Sequence, residues 1–210
     1  MSSGVEPLPT ELFREVLEHK LADFAPGLDE EKRSRLARFL SELDRWRRTV
    51  NLTGHLSSED LASHALESAL GADLLPSQAS VVDIGTGGGF PGVPLAICRP
   101  DLRFTWLEPR EKRLAFLRHL VRAVPVENAD VIAGRVEELP AAGFESATSR
   151  GLKLDGPTVA GLLRPGGSLL LWTTDSPSAE RALLSARFRL EQTLPLPGTR
   201  HRVIALFRRN

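Results

Sequence analysis

An α/β fold, a doubly wound parallel sheet behind an N-terminal helical cap, is what this 210-residue sequence predicts. Three observations carry it. Apolar residues recur at helical spacing up to about residue 75; from residue 79 short β-rich runs replace them; and helical patterns separate those runs. Strands alternating with helices imply βαβ units and a parallel sheet. A chain of this length fits one α/β domain with an extension, so residues 1–75 read as the cap and 76–210 as the core of one compact unit.

The elements follow in order. Leu12, Phe13, Val16, Leu17 and Leu21 share one helical face, and Phe24 precedes a Pro-Gly break at 26–27. A second helix begins near Asp29, where Glu30 and Glu31 suit the positive end of the helix dipole. Its stripe of Leu36, Phe39, Leu40, Leu43 and Trp46 lies opposite Arg33, Arg38, Arg45 and Arg48, which makes Trp46 core packing rather than a base-stacking platform. A third helix starts after Ser57 or Ser58, with Leu61, Ala65, Leu66 and Ala69 inward. The strands are ASVVDIG, LRFTWLE, ADVIAG, FESATSR and GSLLLWTT, with helices expected at about 91–98, 110–124, 155–163 and 177–188. LEQTLPL and RVIALFR have no long helix between them and suit a closing antiparallel hairpin.

Composition narrows the classes. A hydrophobic fraction of 41% supports a real core, and nothing approaches eighteen consecutive apolar residues, so no membrane association is expected. The opening MSSGVEPLPTELF has no basic region followed by an apolar stretch, so no signal peptide is expected. Cys98 is the sole cysteine, which excludes an internal disulfide and a multi-cysteine metal site; no metal is expected, and a reducing cytoplasm suits the chain. Basic and acidic residues balance at 27 each, which argues against a protein that coats polyanions generally. Of the basic residues 23 are Arg, a side chain suited to phosphate and guanine edges. A GC-rich codon bias explains the same excess, so composition leaves nucleic acid open.

The informative stretch is VVDIGTGGGFPGVPL, residues 81–95. Ligands of an open α/β sheet bind at the carboxyl ends of its strands, and this stretch is the first strand, its turn and the following helix. Gly87, Gly89 and Gly92 satisfy a dinucleotide fingerprint, but that register sets Pro91, which has no amide hydrogen, against the pyrophosphate. Read instead as Asp83-x-Gly85-x-Gly87-x-Gly89, the turn carries an acid at its mouth. Such an acid repels a pyrophosphate and suits a cationic ligand, a sulfonium carrying an ammonium. Glu108, 19 residues beyond Gly89 at the end of the second strand, can accept hydrogen bonds from a ribose diol in either case.

At these residues the chain resembles the small-subunit ribosomal RNA guanine-N7 methyltransferases, also called glucose-inhibited division protein B. DIGTGGGFPGVPLAICRPD (83–101) resembles that family's signature nearly throughout, as do TVNLTG (49–54), SHALES (63–68), RLAFLRHL, RVEELP, SRGL and GTRHRVI. The resemblance runs in order from about residue 35 to the end. It implies a Rossmann-like class I S-adenosylmethionine-dependent methyltransferase with an N-terminal helical extension, working as a monomer on ribosomal RNA or the small ribosomal subunit. It implies contacts to S-adenosyl-L-methionine from Gly85, Phe90, Val136, Glu137 and Arg150.

Each of these has an ordinary alternative. Val136 and Glu137 follow the third strand, where an amide and a carboxylate can address adenine; Glu137 also suits an exposed acid opening a short helix. Arg150 ends the fourth strand, placed for the donor's carboxylate, a substrate phosphate or plain solvent. Asn51 and Thr53, with His64 and Glu67, have the family role of closing over the cofactor or orienting the base; the alternatives are loop and cap hydrogen bonds and a structural histidine. Arg200 and His201 match the family's Arg-His pair ahead of the last strand, as RNA contacts or as a solvated turn. Between Arg99 and Arg122 lie seven cations, some of which can meet phosphate.

The chain also departs from the family. Glu108 and Glu67 stand where Asp is common and Ser63 where Arg is common. LLLWTTDS (169–176) lacks the usual Lys-Gly after the fifth strand, which bears on substrate identity rather than on the donor. The expected reaction is attack by guanine N7 of 16S ribosomal RNA on the sulfonium methyl. N7 carries a lone pair and no proton, so no general base is required and none is assigned; alignment carries the rate. The competing readings are a methyltransferase of another RNA or a small molecule, a non-catalytic cofactor-binding RNA-binding module, and a nicotinamide oxidoreductase.

Overall fold

A computed structural model describes residues 7–24, 27–174 and 187–210. Three helices come first: α1 (Thr10–Phe24), α2 (Glu30–Trp46) and α3 (Ser58–Ala69). The alternating part follows as β1 (Ser80–Ile84), α4 (Gly92–Cys98), β2 (Arg103–Glu108), α5 (Glu111–Ala123), β3 (Ala129–Ala133), β4 (Phe144–Arg150), α6 (Gly156–Leu162) and β5 (Leu163–Thr174). The chain closes with β6 (Phe188–Pro195) and β7 (Arg202–Arg209), and single 3-10 turns occupy Ala72–Leu74 and Val136–Glu138.

Local chemistry sets the helix ends. Asp29 lies outside α2 and accepts the Lys32 amide, and Ser57 caps α3 in a reciprocal box with Asp60. Inward, α1 buries Phe13 and Leu17 while α2 buries Leu36, Phe39, Leu40 and Leu43. Trp46 packs its ring on Phe116 and His119 of α5, in agreement with its reading as packing.

The seven strands form one sheet in the order β3-β2-β1-β4-β5-β7-β6. β1 to β5 run parallel, and β7 enters antiparallel between β5 and β6. The expected closing hairpin is therefore present, inserted so that its second strand, not its first, pairs with the parallel set. Successive residues of β1 serve opposite faces: Val81 joins the apolar cluster that continues through Phe39, Trp106 and Phe116 into the cap, and Val82 joins the cluster of Leu107, Val159, Leu163 and Phe207. Chain order reverses at β1, flanked by β2 and β4, so the carboxyl ends of β1 and β4 open the cleft that positions the site.

Two expectations shift. β5 starts at Leu163, directly after α6, where Leu163 pairs with Phe144 ahead of a register shift that spans Gly166 at positive φ. The helix expected at 177–188 falls mostly outside the described residues, and Phe188 opens β6 instead. Among the described residues no helix is long and apolar enough to cross a membrane.

Candidate active site

The turn after β1 has the register Asp83-x-Gly85-x-Gly87-x-Gly89. Gly85, Gly87 and Gly89 have φ of 70°, 55° and 95°, a region closed to most side chains, whereas Gly88 and Gly92 do not need it. Those two glycines are required by contact. A Cβ on Gly88 would stand 2.9 Å from the Leu52 carbonyl oxygen, and one on Gly92 would meet Asp83 and the Trp106 indole nitrogen at 2.9 Å or less. The dinucleotide register thus mixes two backbone requirements with one of packing. Amides from Gly85 and Thr86 anchor the turn on the Leu107 carbonyl at 2.8 and 3.2 Å.

Asp83 corrects the sequence reading. Its side chain is fully buried beneath the turn, not at its mouth. Parallel pairing sets Asp83 between Trp106 and Thr148, and the Thr148 hydroxyl donates to Oδ1 at 2.7 Å. Oδ2 and the Trp106 indole N–H have no partner of good geometry. Burial pushes the carboxyl up to about 6, with the Glu108 charge adding to it and hydrogen bonds from Thr148, Thr86 and Gly92 opposing. From there the acid acts on the turn from below.

Glu108 holds the position expected of it. It is buried, and its Oε2 accepts the Gly87 amide at 3.0 Å while Oε1 accepts the Arg110 amide at 2.9 Å. Each oxygen retains lone-pair capacity for a diol. Val136 and Glu137 stand in the 3-10 turn beyond β3, half-buried and exposed respectively. The sequence reading missed Ile132 and Leu152, the exposed large apolar residues among those described, near the ends of β3 and β4. Leu152 lies directly over Gly85, its terminal methyl where a Cβ there would point. The available signal was an apolar residue beside a strand end that faces solvent.

The cap supplies the other wall. The VNLTG loop lies on the turn: Leu52 and Thr53 cover Gly88, and exposed Asn51 offers its carbonyl to Arg113 Nε at 3.2 Å. Thr53 Oγ1 is buried without a partner. The Phe90 ring meets Phe39 at 5.2 Å and His64 at 5.8 Å, both edge-on. Burial, then the charges of Arg150 and Arg202, depress His64 to about 3, with Asp60 opposing. Its ring is therefore neutral across ordinary pH.

Arg150 already has a partner. Its guanidinium does not stand free in the cleft but pairs with Glu67 at 2.8 Å, and burial outweighs that partner in lowering its pKa. Glu67 takes a second guanidinium, Arg202, at 2.6 Å. Arg202 escaped the sequence reading, which settled on the neighbouring Arg200 and His201. Both of those are exposed and, among the described residues, make no hydrogen bond or ion pair; the structure does not bring them to the Glu67 cluster. Trp172, where the family's Lys-Gly is missing, is buried: its indole donates to the Glu67 carbonyl at 2.9 Å and its ring covers Gly71.

The cations between 99 and 122 divide by location. Arg99 binds the carbonyls of Ala72, Leu75 and Pro76 and pairs with Asp101, and Arg103 opens β2 at the end away from the cleft. Arg110, Lys112 and Arg113 surround the cleft-side end of α5 and line a small cavity with Val50 and Asn51. A second cavity of about 490 Å³ lies between α1, α3 and residues 197–202, with His64, Glu67 and Arg202 in its wall. Among the described residues no three His, Cys, Asp or Glu side chains gather as a metal site.

The family model described as rRNA small subunit methyltransferase G (GidB) matches residues 32–199. A ribosomal RNA small subunit methyltransferase G of Stenotrophomonas maltophilia (strain K279a) is 36% identical over 210 residues, covering 94% of this chain and 96% of that relative. Among solved structures, a SAM dependent methyltransferase from Aquifex aeolicus superposes with a TM-score of 0.51 at 16% identity, over 63% of this chain and 84% of that one. TYW2 of M. jannaschii, solved in complex with AdoMet, gives 0.55 at 16% identity, over 70% and 77%. At such identities the two structures are alike in fold alone.

Proposed function

The chain belongs to the rRNA small subunit methyltransferase G family, and from that premise we propose that it transfers a methyl group from S-adenosyl-L-methionine to guanine N7 of small-subunit (16S) ribosomal RNA. The observation that carries the proposal is the turn itself. Gly85 and Gly87 shape it with positive φ, Glu108 braces it through the Gly87 amide, and the VNLTG loop roofs it. These residues fit a ribose-bearing cationic donor better than a pyrophosphate, because two buried carboxylates, Asp83 and Glu108, lie under the same turn.

When bound, the donor supplies an electrophilic methyl group on a sulfonium. The residues of this chain then hold and align. Glu108 would hold the ribose diol, Gly85 and Phe90 would border the donor, and Val136 with Glu137 would address the adenine edge. Arg150 acts through Glu67, keeping the wall that carries His64 in place. N7 presents a lone pair and sheds no proton, so the neutral, weakly basic His64 has no base to be. Alignment and exclusion of water supply the acceleration. Asn51, Arg200 and His201 orient the RNA, and Arg110 and Lys112 meet its phosphates. The protein works as a cytoplasmic monomer, its 1–75 cap and 76–210 core one unit; support for the unit comes from an apolar cluster running from Phe13 to Leu206.

The test is transfer of labelled methyl from S-adenosyl-L-methionine to small ribosomal subunits and to deproteinised 16S RNA, followed by nuclease digestion and mass spectrometry. New 7-methylguanosine in either substrate is the expected result. Its absence from both, with donor binding intact by calorimetry, turns the assignment toward another RNA. Thr173 and Thr174 at the end of β5, in place of a lysine, favour that second reading.

A further inference from the structure

Three strand ends and one helix meet at Glu67. Its carboxylate is 1% exposed and sits between a guanidinium from the end of β4 and one from the start of β7. These strands are not neighbours, since β5 runs between them, and β5 contributes the Trp172 indole to the Glu67 carbonyl. Arg150 approaches Oε2 at 2.8 Å; Arg202 approaches Oε1 at 2.6 Å and Oε2 at 3.1 Å. The same Arg202 Nη1 lies 3.5 Å from His64 Nε2, and Arg150 reaches the His64 carbonyl at 3.5 Å. His64, one turn before Glu67 on α3, touches Phe90 of the donor turn. A mechanical path therefore runs from the C-terminal hairpin through one buried carboxylate to the residue bordering the reacting centre.

We propose that Arg202 is a positioning residue for methyl transfer, acting through Glu67 and His64 and touching neither donor nor base. This rests on the reading of the chain as a methyltransferase. Arg150 alone leaves one Glu67 oxygen without a cation, and α3 tied to β4 and β5 but not to β7. Arg202 closes the clamp across β5, so the His64 ring stays seated on Phe90 when RNA enters. It is also the outer member of the clamp, 38% exposed, and it forms part of the 490 Å³ cavity beside α3.

Electrostatics gives the clamp a separate signature. The groups around His64 are Arg150 from β4, Arg202 from β7, Asp60 and Glu67 from α3, and Lys20 and Asp23 of α1 across the cavity. Both arginines disfavour the imidazolium and Asp60 favours it. Removing Arg202 deletes one opposing cation and frees one Glu67 oxygen, and both changes raise the tendency of His64 to protonate.

The variants are Arg202→Met and Arg202→Lys, compared with wild type in calorimetric donor binding, in kcat and KM on small-subunit RNA from pH 5.5 to 8, and in NMR titration of the His64 ring. Arg202→Met is expected to bind donor within about twofold of wild type and to show a kcat about tenfold lower, with the deficit larger at pH 5.5 than at pH 8. Its His64 ring is expected to titrate at higher pH than the wild-type ring, because one opposing cation is gone. Arg202→Lys keeps the charge but cannot fork across both oxygens, and its kcat falls roughly threefold with the flat wild-type profile. Wild-type kcat with an unchanged pH profile in either variant overturns the proposal, as does a loss confined to thermal stability. Should Arg202→Met fail to fold, the Lys variant decides. Should wild type leave the RNA unmethylated, the functional assignment is what falls, and the His64 titration still decides the clamp.

Discussion

The carbonyl oxygen of Leu52 lies 2.9 Å from the point a Cβ on Gly88 would occupy. Two motifs separated by a whole helix thus meet backbone to backbone, and the cap closes the donor turn without an intervening side chain. Gly88→Ala should force the VNLTG loop away, at a cost of about 1–3 kcal/mol of stability. Calorimetry should show donor affinity falling about tenfold or more; unchanged affinity would mean the loop does not roof the site.

Asp83 makes stability depend on pH. With its carboxyl raised from 3.8 to about 6, the folded state binds the proton more tightly than the unfolded chain. Its contribution is complete below pH 3.8 and is lost as pH climbs through 6, amounting to about 3 kcal/mol by neutrality. Asp83→Asn, which stays neutral, should remove this fall between pH 4 and 6. Denaturant unfolding across that range reads it out, and a variant curve parallel to wild type would refute the burial argument.

Glu108 serves two amides at once, those of Gly87 and Arg110. Glu108→Ala leaves both without an acceptor, a loss of about 1–3 kcal/mol for each amide that stays dry. It also removes the ribose acceptor, so donor affinity should fall further than stability does. Equal donor affinity in the variant would displace Glu108 from the site.

Arg110 and Lys112 project at the cleft end of α5, and neither forms an ion pair among the described residues. Their joint replacement by Ala should weaken RNA binding and lessen its salt dependence by about 0.7 for each phosphate no longer neutralised, as on single strands. Donor binding should not change. Replacing Arg99, fastened to the carbonyls of residues 72–76, should destabilise the fold and leave the salt slope alone.

Much of this architecture is legible in local sequence. The alternation of apolar runs locates the strands, and the glycine spacing behind Asp83 names three positions of positive φ, because both are requirements a residue meets within its own turn or strand. Asp29 and Ser57 likewise announce two helix starts through bonds that span three residues.

The destinations of the charged groups lie beyond that reach. Arg150 is visible at the end of a strand, yet its partner is 83 positions earlier on α3, and the second arginine on that carboxylate is 135 positions later than Glu67. Whether Asp83 looks up at a ligand or down into the core depends on which strands flank β1, and Thr148 arrives from 65 positions away. Local sequence thus dictates the turn, the βα alternation and the family signature. Which acids meet the ligand, and which arginines are already taken, is settled only by the packed chain, because burial and ion pairing depend on the residues that folding brings alongside.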